Sequence, residues 1–146
     1  MSGETITTVA GNLGSEVELR YTGSGVAVAS FTVASTPRTF DKTTQEWRDG
    51  DTLWMPVTVW REQAENCAES LTKGARVVVQ GRLTQENWED KNGGGKRSRV
   101  VLQADDVAVS LLRATATVAK VQRQGAPAQR GGQQTEADPW ATGGAF

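Results

Sequence analysis

The stretch Thr52–Arg61, TLWMPVTVWR, decides the fold. In a strand, side chains alternate between two faces. Leu53, Met55, Val57 and Val59 then share one side, and Trp54, Pro56, Thr58 and Trp60 the other. The aliphatic side suffices for a core. The second side places two indoles ~20 Å apart, at ~3.3 Å per residue, on a face that also carries a hydroxyl and a proline. Indoles on a polar face call for a partner. A nucleobase offers a flat π-surface whatever its identity, and stacking it on an aromatic contributes roughly 1–3 kcal/mol, so single-stranded nucleic acid is the first candidate. For this strand alone, burial of the indoles under a loop or in a subunit interface is an equal alternative.

Composition narrows the chemistry. The 146 residues allow one domain with a core and something extra. There are five tryptophans, one cysteine and no histidine. Histidine-based catalysis and histidine metal sites are excluded, and Cys67 alone builds neither a cysteine zinc site nor an intrachain disulfide. No catalytic residue, metal or cofactor is therefore expected. The polar start MSGETITTVAGN does not resemble a signal peptide, and no apolar run approaches a membrane span. A protein of the reducing cytoplasm, without membrane contact, is expected. Net charge is −1, and up to Leu112 there are 12 basic and 15 acidic residues. Any phosphate binding must therefore run along a segregated path of cations.

Upstream of the central stretch, residues 5–10 (TITTVA) alternate, Gly11-Asn12-Leu13-Gly14 interrupts, and VELRY resumes at Val17. This predicts one long first strand with a glycine-permitted bend. After the turn at Thr22–Gly25, the strand Val26–Ser35 turns Ala27, Ala29, Phe31 and Val33 to one face and Ser30 and Thr32 to the other. From Thr36 to Asp51 the chain is polar except for Phe40 and Trp47, which predicts an extended hairpin loop with Lys42 close to Phe40. Pro56 conflicts with a fully paired central strand, because it cannot donate to a ladder.

Downstream, Glu62–Lys73 reads as the one helix, with Ala64, Cys67, Ala68 and Leu71 on one face, Lys73 in the last turn and Gly74 beyond. Cys67 is most simply a small core residue; a disulfide across an oligomer axis is the alternative. Arg76–Trp88 returns to strand periodicity, with Val77, Val79 and Leu83 on one side and Arg82 and Trp88 on the other. Glu89–Lys96 is a glycine-rich tip without the Gly-Lys-Ser/Thr of a phosphate loop. Arg97–Val109 is the last barrel strand. Residues 113–121 predict a short extra strand, and the Gln/Gly/Ala/Pro-rich 122–146 a disordered tail in which Trp140 and Phe146 stand out as docking residues.

Strand, strand, strand, helix, strand, strand is the order of a five-stranded OB-fold barrel, all-β with one helix, over residues 1–112. Phe40, Trp54, Trp60 and Trp88 then form a stacking platform, and Arg20, Lys42, Lys73, Arg82, Lys96 and Arg97 track the backbone. An assembly module with its aromatics buried between subunits is the rival. A nuclease is disfavoured because no paired acidic geometry is legible.

The sequence also resembles the bacterial single-stranded DNA-binding proteins, most closely their actinobacterial branch. The resemblance is carried by Gly11-Asn12-Leu13-Gly14 with Arg20, by Val26–Pro37 (VAVASFTVASTP), by Trp54–Arg61, by Ala64–Leu71 (AENCAESL) and by Lys73–Leu83 (KGARVVVQGRL). It implies a homotetramer that wraps single-stranded DNA in replication, recombination and repair, with stacking positions at Phe40, Trp54, Trp60 and Trp88. It also implies a subunit-clamping strand at Ala114–Val121 and a tail that recruits genome-maintenance proteins. Two departures stand out. Pro56, Glu62, Glu86 and Asn87 occupy positions that are basic in well-known members. The tail keeps Asp138, Trp140 and terminal Phe146 but lacks the family's acidic Pro-Phe end, which points to a specialised paralogue with weak partner recruitment.

Overall fold

The computed structural model describes residues 3–121. The chain runs β1 (Thr5–Leu13), β2 (Glu18–Tyr21), β3 (Ala27–Ser35), β4 (Arg38–Asp41), β5 (Glu46–Asp49), β6 (Leu53–Trp60), α1 (Arg61–Ser70), β7 (Arg76–Asp90) and β8 (Gly95–Val109). The main sheet has the order β1-β7-β8-β6-β3-β2, and β1 also pairs with β3, which closes the ring. Every contact in that ring is antiparallel except β6 with β8, a parallel seam of two residue pairs, Val57 with Leu102 and Thr58 with Gln103. The expected OB-fold barrel is present, with the helix between its third and fourth wall strands.

Alternation fills the interior as the residue pattern dictates. Ala27, Ala29, Phe31 and Val33 from β3, Val57 and Val59 from β6, Val77 and Val79 from β7, and Leu102 from β8 meet Val9 and Leu13 in one core. α1 closes one end with Ala64 and Cys67, and Leu71 completes the plug. Burial raises the Cys67 thiol pKa to about 11, as an apolar setting disfavours the thiolate. Gln63 of α1 fastens the helix to β8, accepting from the Val107 amide at 2.7 Å and donating to the Asp105 carbonyl at 3.3 Å. Asp105 is the residue skipped where Gln80 pairs with Asp106 but Gly81 with Ala104, a bulge that bends β8 around the barrel.

The expected single first strand is two. β1 leaves β7 at Gly11–Asn12 and turns to pair Asn12 and Leu13 with Ala34 and Val33. A Cβ on Gly11 would stand 2.3 Å from the Ala34 carbonyl oxygen, so only glycine allows this corner. β2 then forms the edge against β3. The expected helix over Glu62–Lys73 is shorter. It ends at Ser70, Leu71 caps it with an extended backbone, and Lys73 lies in the following loop. Gly74 has φ +95° and serves that loop, where its amide donates to the Leu13 carbonyl.

Pro56 fits its strand because of register. Its partner Thr32 turns its own amide to Ser15 Oγ and its carbonyl to the Gly14 amide, both away from β6. Pro56 therefore sits at a non-hydrogen-bonded position facing β3, and its nitrogen points toward β8, where pairing begins only at Val57. The loop 36–51 is an ordered arm, β4 against β5, with a tight turn in which Gln45 takes φ +60°. Within the single chain no described residue beyond Val109 is in a strand, and the clamp expected at 113–121 is one whose ladder a neighbouring subunit would supply.

Candidate nucleic-acid interface

Register decides which side chains share the barrel's outer face, since directly paired residues point the same way. Arg20 pairs with Val28, and Val28 with Trp60. Thr58, on the Trp60 side of β6, pairs with Ser30 and with Gln103, and Gln103 with Arg82. Farther along the same hairpin, Trp88 pairs with Arg97 at the same parity. Trp54, Trp60 and Trp88 thus all face outward from the wall, as do Arg20, Arg82 and Arg97. The three indoles are 60%, 43% and 45% exposed, so none is a core residue.

Each ring is held differently. The Trp54 indole lies on the backbone at Gly14, where a Cβ would come within 2.7 Å of its Cζ3. The absent side chain makes the shelf for that ring. Trp60 donates from Nε1 to Gln103 Oε1 at 2.9 Å. With its only donor satisfied, Trp60 offers a ligand its faces. Trp88 has the Arg99 guanidinium 6.0 Å from its ring centroid, and Glu86 binds that guanidinium through Arg99 Nε at 3.1 Å. Between Trp54 and Trp60 runs a concavity lined by Ser15, Glu16, Glu18, Ser30, Thr32, Pro56, Thr58 and Arg99.

The expected cations divide into two groups. Arg82 is engaged by Asp105 at 3.3 Å and Glu4 at 3.9 Å, and Arg97 by Asp90 at 3.1 Å. Arg20, Lys42, Lys73 and Lys96 have no ion pair among the described residues. Lys73 lies near the Trp54 end, because its neighbour Gly74 is bonded to Leu13 and its own amide donates to Glu16 Oε1 at 3.3 Å. Lys96 pairs with Glu89 and so alternates to the side of the hairpin opposite Trp88 and Arg97. Phe40 and Lys42 belong to the β4–β5 arm, where Phe40 stands directly across from Trp47. Asp138, Trp140 and Phe146 lie outside the described residues.

Three side chains escaped the residue-by-residue reading. Arg99 shares the parity of Arg97 and was legible as its neighbour two residues on. Trp47 became a candidate only through its pairing with Phe40. Gln103 had no local signal, because its role depends on the parallel seam. Among the described residues, no cluster of three or more Asp, Glu or Cys side chains could hold a metal ion.

The sequence profile of the single-strand binding protein family matches residues 5–110. The chain belongs to that family. Relatives include a single-stranded DNA-binding protein of Paenarthrobacter aurescens, 51% identical over 97% of this chain and 88% of its own length. Single-stranded DNA-binding protein 2 of Streptomyces coelicolor is 56% identical over 86% of this chain and 62% of its own length. Among solved structures, the crystal structure of a small single-stranded DNA-binding protein from Streptomyces coelicolor superposes with a TM-score of 0.66 at 29% identity, covering 77% of this chain and 99% of that one. Family membership agrees with the closed barrel and with the actinobacterial resemblance seen in the sequence.

Proposed function

We propose that the outward side carrying Trp54, Trp60 and Trp88 binds single-stranded DNA without sequence preference, shielding it during replication, recombination and repair. Three half-exposed indoles facing outward from a closed barrel carry this reading, because bases of any identity stack on them. Arg20 and Lys73 supply phosphate contacts at once. Arg82 and Arg97 do so in exchange for their carboxylate partners, and Lys42 and Lys96 act from the two arms. Binding, not catalysis, is the activity. One OB fold spans ~4–16 nucleotides, so linked copies raise avidity, and a homotetramer is the proposed assembly. Its place is the nucleoid, and no helix among the described residues is long and apolar enough to cross a membrane. The tail residues Asp138, Trp140 and Phe146 are proposed as a weak docking peptide for genome-maintenance proteins.

Titration with dT oligonucleotides tests the reading. Tryptophan fluorescence should be strongly quenched, and Trp54→Ala should weaken binding by roughly 1–3 kcal/mol while leaving the fold intact. Unchanged fluorescence would instead assign the rings to subunit contacts. Light scattering reads the assembly. Calorimetry with a partner protein should show weaker binding than a chain given an acidic Pro-Phe end.

A further inference from the structure

The β4–β5 arm carries its own aromatic pair. Phe40 and Trp47 face each other across the strands, ring centroids 5.4 Å apart and planes at 66°, so an edge of one ring covers a face of the other. Trp47 is the more exposed of the two, 60% against 46%. The arm is ordered by ion pairs, Arg38 with Asp49 and Arg48 with Asp41, both at 3.3 Å. At its root the Thr36 and Thr52 hydroxyls are 2.7 Å apart and the Gly50 amide donates to the Pro37 carbonyl. Its charge does not favour a polyanion. Arg38, Lys42 and Arg48 are set against Asp41, Glu46, Asp49 and Asp51, and both arginines are already paired.

Resting on the single-stranded DNA reading above, we infer that Trp47 is a fourth base-stacking indole and that Phe40 is its support. The arm continues directly from β3 and β6, whose near end presents Trp54, so a strand lying on Trp54 runs on to it. A pair in edge-to-face contact gives a base one open broad face, and the larger, more exposed ring provides it. Phe40 acts by fixing the angle of that ring. Lys42 gives the arm its salt-sensitive phosphate contact, whereas the share contributed by Trp47 comes from stacking and is insensitive to salt.

The test compares full-length Trp47→Ala, Trp47→Phe and Phe40→Leu with the unaltered chain, using a long dT oligonucleotide at two salt concentrations. Neither ring belongs to the core, so thermal melting should be unchanged. Trp47→Ala should lose about ten-fold in affinity, within the range of one stacked base, by the same factor at both salts. Trp47→Phe should recover most of that loss, and Phe40→Leu should lose less than Trp47→Ala. Equal affinity for Trp47→Ala, a larger loss for Phe40→Leu, or a loss that changes with salt would overturn the inference. Failure of the unaltered chain to bind dT would instead overturn the nucleic-acid reading beneath it.

Discussion

In the barrel wall, Val33, Val59, Val77, Val79, Val101 and Leu102 have no exposed surface; in the β4–β5 arm every residue from Arg38 to Asp49 except Asp41 is exposed. The distal half of the β7–β8 hairpin resembles the arm, with residues 91–100 all exposed and Arg97–Asp90 and Arg99–Glu86 joining its strands. A buried Val or Leu contributes roughly 1.5–3 kcal/mol, whereas an exposed ion pair contributes ~0–1. The wall is thus fixed by burial, and the arms by weak, salt-screened pairs set around aromatic rings. Such a division suits a ligand of variable sequence: the barrel keeps its shape, and the parts that reach along the strand adjust at small cost.

Four experiments break or sharpen this contrast. The largest effect is expected in the wall, where Leu102→Ala should destabilise by ~2–5 kcal/mol in denaturant unfolding; a loss as small as that of an arm substitution would erase the distinction. Next is Cys67. Its folded pKa of about 11 stands above the ordinary thiol value of 9.0, so the neutral thiol's contribution is complete below pH 9 and falls away as pH rises toward 11. Stability should therefore drop on the order of 2 kcal/mol more in the natural chain than in Cys67→Ala between those limits, which cancels the shared titration of other groups. Gly14→Ala should leave melting nearly unchanged but displace the Trp54 ring, costing at most the ~1–3 kcal/mol of one stacked base in dT titration. The smallest effect is Asp49→Asn, under ~1 kcal/mol, and it should vanish in 1 M salt, where screening acts over ~3 Å.

Much of this was readable one strand at a time. Period-two alternation assigned Phe31, Val33, Val57 and Val59 inward and Trp54 and Trp60 outward, because a strand's faces depend only on its own residues. What crosses between strands was not. The break between β1 and β2 follows from β1 changing partners at Gly11, and the early end of α1 from Leu71 leaving the helix to plug the barrel. The engagement of Arg82 and Arg97 by carboxylates depends on register, as does the guanidinium of Arg99 over Trp88. Lys96 was legible in principle: it precedes Arg97 by one, and in a strand that is enough to send it to the other side.

The parallel seam between β6 and β8 and the β1–β3 join are the barrel's two shortest, two residue pairs each against eight between β3 and β6. Local opening favours the least-bonded boundaries, so the parallel seam is one of the two places where breathing of this cylinder should begin. The Trp60–Gln103 hydrogen bond straddles that join from outside. A base lying on Trp60 therefore also leans on the latch, and occupancy should slow amide exchange at Val57 and Thr58, the two β6 residues of the seam.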